Sequence, residues 1–392
     1  MLTDLFASRA DRMKASEIRE LLKLLDTPGM ISFAGGIPDP TLFPAEKFRA
    51  AMNHLLSGTR AGQALQYSVS EGYPPLRDWI AAQMTAMGVP CTRDNILITS
   101  GSQQALDHLG KLFLSPGDTA LVGWPTYLGA LGAFNAYEPH YAKLDARANA
   151  VPSGNGPVKL AYVCTDFANP TGETLTRAER EALLDRADVL DCAVIEDAAY
   201  QALRYDGDPV PPILALEIAR KGDIEACRTI NCGSFSKTLS PGLRVGWVCA
   251  AQPVIAQLVL EKQAGDLHSP TLNQMAIAAV VTDGFDAHLG RLRDSYRARR
   301  DRMLETLARV MPDGVDWSRP EGGMFIWLTL PERTDAAGLL TRAVEGERVA
   351  FVPGSAFFAD GSGRNCLRLN FSSPTPEEID AGLVRLARLI RG

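Results

Sequence analysis

The stretch ILITSGSQQAL, residues 96–106, changes character at its middle. Four residues that favour extended backbone run into Ser100, Gly101 and Ser102. Beyond them Ala105, Leu106, Leu109, Leu112 and Phe113 fall on one face of a helix. Strand, tight turn, helix is the unit of an α/β fold, and the pattern continues outward from it. The runs TALVGW (119–124), KLAYVC (159–164), CAVIE (192–196), TINCGS (229–234) and RVGWVCA (244–250) are β-rich and alternate with helical segments. Such alternation requires crossover connections, and so predicts an α/β domain with a largely parallel sheet.

Length and composition bound the rest. At 392 residues the chain exceeds a usual single core, which predicts two domains. From Asp286 to Met311 a long helical pattern forms a connector, exposed on one side, to a second region of mixed strands and helices: MFIWLTL, VAFVPG, CLRLNF and the amphipathic PEEIDAGLVRLARLI. Lys and Arg total 40 against 46 Asp and Glu, a net charge of −6 with no block of like sign. This argues against a nucleic-acid partner, because phosphate binding relies on clustered cations. The seven cysteines are odd in number and show no C-x-x-C spacing, so reduced thiols in a cytoplasmic protein are expected, with no metal site. The amino terminus lacks the apolar core of a signal peptide, and no run approaches the ~18 apolar residues of a membrane span.

The chemistry is concentrated in GSFSKTLSPGLRVGW, residues 233–247. Four readings of Lys237 compete: a P-loop, an acyl-enzyme serine, an imine-forming lysine, or an ordinary loop. A P-loop needs glycine before the lysine, and Ser236 stands there. Ser234 and Lys237 match S-x-x-K, but the S-D-N and K-T-G partners of that motif occur nowhere. An imine with pyridoxal 5′-phosphate needs an anion site, an acid for the pyridine nitrogen, a donor to the ring hydroxyl and a ring to stack on. Ser234, Ser236 and Arg244 offer the first, joined by the free amides of the helix that follows Gly101. In CAVIEDAAY, Glu196 and Asp197 point to opposite faces of a strand, so only one reaches the ring. Asp197 is preferred because Tyr200, three residues on, then lies near the same place. Asn169 in DFANPTGE offers an amide to the ring oxygen, and Tyr127 in GWPTY a stacking partner. Singly, Asp197 reads equally as a helix cap, Asn169 as a turn residue, Tyr127 as a core aromatic and Arg244 as an ion-pair partner. Together they fall at the carboxyl ends of predicted parallel strands and complete the cofactor's needs.

These residues resemble the fold-type I, class I/II aminotransferases that use pyridoxal phosphate. The resemblance runs through ISFAGGIPDPTLFP, LQYSVSEGYPPLR, TSGSQQALD, DFANPTGE, EDAAY, SFSKTLSPGLRVGW, GGMFIWL, FVPGSAFF and LRLNFS, nearly the whole chain. It implies a large domain, residues 46–285, with a mostly parallel seven-stranded sheet. A smaller α+β domain would be formed by both termini, with residues 1–45 as arm and part of it and 286–392 as the remainder. By position it implies Lys237 as the Schiff-base lysine and proton shuttle, Asp197 as the pyridine-nitrogen partner, Asn169 and Tyr200 as ring-hydroxyl ligands and Tyr127 as the stacking ring. Ser102, Gln103, Ser234, Ser236 and Arg244 would form the phosphate cup. Tyr67 would reach the phosphate of a neighbouring subunit, which implies a homodimer. Arg368 would pair with the substrate α-carboxylate, with Asn169 and Gly36 beside it; a planar fork suits a carboxylate better than an ammonium does. Ala168 departs from the family pattern, in which glutamine is frequent.

The run RMKASEIRELLKLLDTPGMISFAGGIP is similar to the subgroup holding α-aminoadipate and kynurenine/aminoadipate aminotransferases. There an arginine on an N-terminal helix meets a distal acidic side chain. Arg12 stands at that position, though it reads equally as a solvated helix charge. The implied activity is ping-pong transamination from an L-amino acid to a 2-oxo acid, with 2-oxoglutarate the expected acceptor. The same residues would serve a β-lyase, a decarboxylase or a cyclopropane-forming synthase. A cofactor-binding transcription regulator would need a further DNA-binding module, for which the start of the pattern within the first ~15 residues leaves no room. Aminoadipate, aromatic, branched-chain and kynurenine-type donors all remain compatible.

Overall fold

The computed structural model describes residues 2–13, 28–144 and 156–391. Most of the N-terminal helix implied by the resemblance falls on residues 14–27, outside the described residues. Thirteen strands are formed among the described residues: β1 (Ile31–Ser32), β2 (Ile96–Thr99), β3 (Thr119–Val122), β4 (His140–Lys143), β5 (Val158–Cys164), β6 (Ala193–Asp197), β7 (Thr229–Ser234), β8 (Gly246–Cys249), β9 (Asp316–Trp317), β10 (Phe325–Thr329), β11 (Val349–Ala350), β12 (Val352–Pro353) and β13 (Cys366–Asn370).

Seven of them make one sheet in the order β2-β8-β7-β6-β5-β3-β4. β8 runs antiparallel to both of its neighbours, β2 and β7, and the other pairings are parallel. Every residue of β2, β3 and β7 is buried, as expected of strands covered on both faces. Ile96 and Ile98 pack with Leu76, Ile80 and Met275, while Leu97 packs with Leu106, Leu109 and Leu258 on the other face. Each such side chain contributes roughly 1.5–3 kcal/mol by leaving water. β4 was not expected from the sequence, and the reason is physical: HYAK is an edge strand with no buried residue.

A four-stranded antiparallel sheet, β12-β13-β10-β9, forms the second layer system. β1 pairs with β11, so residues near both ends of the chain meet beside it. The helix Phe285–Val310 spans 26 residues and buries His288, Leu289, Leu292, Tyr296, Arg300, Met303 and Leu307, a three- and four-residue spacing along one face. Leu289, Leu292, Tyr296, Met303 and Leu307 face the core made with the small sheet and with the helix Pro376–Arg391. Its sequence-predicted range, 286–311, matches the observed helix to one residue at each end.

No helix among the described residues is long and apolar enough to cross a membrane.

Candidate active site

The carboxyl ends of the parallel strands bring the predicted residues to one edge of the large sheet. Asp197 ends β6, level with Cys164 on β5 and Cys232 on β7. Its buried carboxylate accepts a hydrogen bond from Tyr162 Oη at 2.8 Å and another from the Ala199 amide at 3.2 Å. Burial pushes its pKa above the usual range, opposed by those two bonds and by the charge of Lys237. Glu196 turns the other way. It accepts from the Ile213 and Leu214 amides and from Asn231 Nδ2 at 3.0 Å, a structural role on the opposite face. Strand alternation therefore separates two adjacent acids into one that faces the site and one that ties down a helix start.

Lys237 follows β7, is half-buried, and donates from Nζ to the Gly36 carbonyl at 2.8 Å. Its Nζ stands 5.9 Å from the Tyr200 ring centroid. Burial, then the charges of Arg368 and Arg244, pull its pKa down to about 8, with Asp197 opposing. An amine so placed is neutral in part near neutral pH, which a nucleophile or a base requires.

The anion seat joins two strand ends. Gly101 caps the helix Ser102–Phe113 at φ 80° with no side-chain cap, so the first amides of that helix have no partner within it. A Cβ on Gly101 would overlap Arg244 Nη2, so only glycine leaves the guanidinium its place. Arg244 itself has a left-handed backbone, φ 53°, and donates to Ser100 O at 3.3 Å, to Pro241 O at 3.2 Å and to Ser236 Oγ at 3.5 Å. Ser234 Oγ accepts from the Ser236 amide at 3.1 Å. At the start of β8, a Cβ on Gly246 would lie 2.8 Å from Ser102 N. Two hydroxyls, a guanidinium and a free helix amino end thus converge where a phosphate fits.

Tyr127 packs over Gly129, and its hydroxyl lies 3.5 Å from Gln103 Oε1, while Gln103 Nε2 donates to Gly129 O at 2.7 Å. Burial and the charge of Asp197 raise the Tyr127 pKa to about 12. Tyr200 is buried edge-on against Phe325, with centroids 5.6 Å apart.

Arg368, on β13 of the small sheet, is fully buried. Its Nη1 donates to Asn169 Oδ1 at 2.6 Å and its Nη2 to Ala34 O at 2.7 Å, while Nε has no partner. The guanidinium stacks on Phe325 at 4.2 Å and stands 5.1 Å from the Phe357 centroid. Burial lowers its pKa to about 10. The equally buried Arg180 differs: it has Asp166 at 3.0 Å and Glu196 at 3.8 Å. Among the described residues no carboxylate pairs with Arg368. A buried cation without a counter-charge is costly, and an incoming anion could offset that cost.

Two expected residues are not brought to the site of their own chain. Arg12 donates to Pro139 O at 2.8 Å, just before β4. There His140 pairs with Thr119, the amino end of β3, so Arg12 lies at the opposite edge of the sheet. Tyr67 is 78 % exposed, with its ring 5.9 Å from that of His268.

Other contributors escaped the sequence reading. Tyr162 is one; the signal was its place in KLAYVC, two residues before Cys164 on the same face. Behind the anion seat, the fully buried Lys262 donates to Gln104 Oε1 at 2.8 Å and to Asp266 at 2.9 Å. Asp266 accepts from Ser100 Oγ at 3.1 Å and from Gln104 at 2.7 Å, which fixes the turn at Ser100. In sequence, Lys262 and Asp266 look like an ordinary helix-surface pair.

A model of the family "Aminotransferase class I and II" matches residues 30–386. The chain belongs to the class I and II aminotransferases. It is 42 % identical to aromatic-amino-acid aminotransferase 1 of Thermococcus litoralis, over 98 % of this chain and 94 % of that one. It is 41 % identical to 2-aminoadipate transaminase of Thermus thermophilus, over 100 % and 97 %. The crystal structure of the alpha-aminoadipate aminotransferase of Thermus thermophilus, complexed with N-(5'-phosphopyridoxyl)-L-leucine, superposes with a TM-score of 0.90 at 39 % identity, covering 100 % of this chain and 98 % of that one. This aminotransferase is therefore a fold-type I enzyme of the aminoadipate and kynurenine subgroup, and pyridoxal 5′-phosphate is its cofactor. The residues present fit that group: a cradle that a Cβ on Gly101 would fill, a buried carboxylate, and a lysine with a depressed pKa.

Proposed function

We propose that this aminotransferase moves the amino group of an L-amino acid to 2-oxoglutarate in two half-reactions of ping-pong form. The observation that carries the reading is Arg368, a buried guanidinium with three unspent N–H groups and no carboxylate partner among the described residues, set beside Asn169. It would hold the α-carboxylate common to donor and acceptor.

When bound, pyridoxal 5′-phosphate supplies an electron sink conjugated to the substrate nitrogen. The chain's own residues do the rest. Ser102, Gln103, Ser234, Ser236 and Arg244 would hold the phosphate, and Tyr127 would lie against the ring. Asp197, steadied by Tyr162, would keep a proton on the ring nitrogen, while Asn169 and Tyr200 would donate to the ring oxygen. Lys237 Nζ would anchor the cofactor, then take the α-proton and deliver it back, a role for which a pKa of about 8 suits it. Gly36, whose carbonyl now accepts from that amine, would border the substrate.

The relatives' names support donors with aromatic or 2-aminoadipate-like side chains. A homodimer is supported by Leu65, Tyr67, Val69 and Leu267, large apolar residues left exposed on neighbouring segments. In such a dimer Tyr67 would meet the partner's phosphate. Residues 46–285 would form the cofactor domain and 1–45 with 286–392 the smaller one, in a cytoplasmic protein.

A donor panel of 2-aminoadipate, kynurenine, aromatic and branched-chain amino acids with 2-oxoglutarate tests the reading. Glutamate should form in step with the 2-oxo acid, and Lys237→Ala should stop it. Product without an added acceptor, or wild-type turnover in the variant, would refute it.

A further inference from the structure

Cys91 and Cys249 lie 158 residues apart in sequence, and their sulfurs are 4.0 Å apart. Cys249 ends β8 and is fully buried, while Cys91 lies in the segment Val89–Thr92, which has no regular structure. A surface cavity of about 570 Å³, lined by Asp78, Ala81, Thr85, Cys91 and Arg93, opens onto Cys91. One thiol is therefore reachable by a small solute and lies outside regular structure, while its partner stands in a strand paired on both sides. Cys91 Sγ also lies 3.8 Å from Ala81 O, whereas Cys164, Cys227 and Cys366 lie toward Asp166 O, Asp223 O and Thr329 Oγ1 rather than toward a second sulfur.

We propose that Cys91 and Cys249 form a reversible disulfide when the protein meets a peroxide. The Cys91 thiol gives up its proton and its sulfur attacks one peroxide oxygen; the O–O bond breaks, giving a sulfenic acid, and the departing hydroxide takes up that proton as water. The Cys249 sulfur then displaces the hydroxyl from Cys91 as a second water. Two thiols are oxidised by two electrons, one S–S bond forms, and hydrogen peroxide is reduced to two waters. A disulfide spans about 2.05 Å, so the sulfurs must close by about 2 Å, a movement that the Val89–Thr92 segment can supply. A dithiol reductant reverses the step.

The bond would act on stability rather than catalysis. Cys249 pairs with Ile96, at the start of β2, whereas the anion seat lies at the far end of the same two strands, where Thr99 pairs with Gly246. The crosslink closes a long loop and restricts the unfolded chain. It leaves Gly101 and Arg244 untouched.

The test is treatment of the holoenzyme with stoichiometric hydrogen peroxide, followed by intact mass, thiol titration, peptide mapping and thermal unfolding. The expected result is a loss of about 2 Da and of two of the seven thiols, restored by dithiothreitol. The mapped crosslink joins Cys91 to Cys249. The melting temperature rises by several degrees, turnover stays within twofold, and none of these changes occurs in Cys91→Ser. Oxygen adducts without the 2 Da loss, a crosslink between other cysteines, or an equal thiol loss in Cys91→Ser would overturn the proposal.

Discussion

Replacing Arg368 by lysine keeps the charge and removes the fork. A guanidinium carries five N–H groups. Two are committed to Asn169 Oδ1 and Ala34 O, which leaves Nε and one hydrogen on each terminal nitrogen. A carboxylate can therefore take two parallel charge-assisted bonds without breaking either existing one. A lysine ammonium has three donors, and the same two protein oxygens would claim two of them. One bond to the substrate is lost, about 1.5–3 kcal/mol for a hydrogen bond involving charge. At about 1.4 kcal/mol per tenfold, kcat/KM for the amino donor should fall roughly 10- to 150-fold. The assay is steady-state glutamate formation over a range of donor concentrations, with the bound cofactor's absorbance confirming that the site is still loaded. An amine lacking a carboxylate should react equally poorly with both proteins. A kcat/KM within threefold of wild type would refute the claim that Arg368 holds the α-carboxylate.

Three further outcomes follow from the same geometry. In the cofactor-free protein the Lys237 pKa is depressed, so its uncharged form favours the fold. The stability of wild type relative to Lys237→Met should rise as pH climbs from about 8 toward the ordinary lysine value of 10.5, and chemical denaturation at a series of pH values would detect the trend or its absence. Glu196→Gln should cost about 3 kcal/mol of stability, because it breaks a buried network around Arg180 and Asn231, yet leave the cofactor's spectrum unchanged; an altered spectrum would mean that Glu196 faces the ring. Gly101→Ala should weaken cofactor binding more than tenfold by displacing Arg244 and straining a residue at φ 80°, and an unchanged affinity in a coenzyme titration would contradict the seat as described.

The parallel strands other than β4, and the residues at their ends, were legible because burial makes each of them a largely apolar run, and the turn that follows it carries the chemistry. The split between Glu196 and Asp197 was legible too, since alternation along a strand is fixed by backbone geometry. The reversed direction of β8 was not: RVGWVCA is as apolar as its parallel neighbours, and only the hydrogen-bond register distinguishes them. Nothing in the spacing of Phe325 and Phe357 says that a guanidinium lies against them. The Lys262–Asp266 pair was hidden for a related reason, because burial of a helix face depends on what packs over it. Arg12 matches the subgroup by its place in the sequence, and its hydrogen bond to Pro139 lies beside the amino end of β4.

The reversal of β8 has a bearing on assembly. Because that strand enters the sheet beside Thr99, the peptide around Gly101 and the one around Arg244 become neighbours only when pairing across β2 and β8 is complete. Neither peptide alone carries both the helix amino end and the guanidinium. Whatever free energy the bound coenzyme adds therefore accrues to molecules in which β2 and β8, at one margin of the large sheet, are already paired.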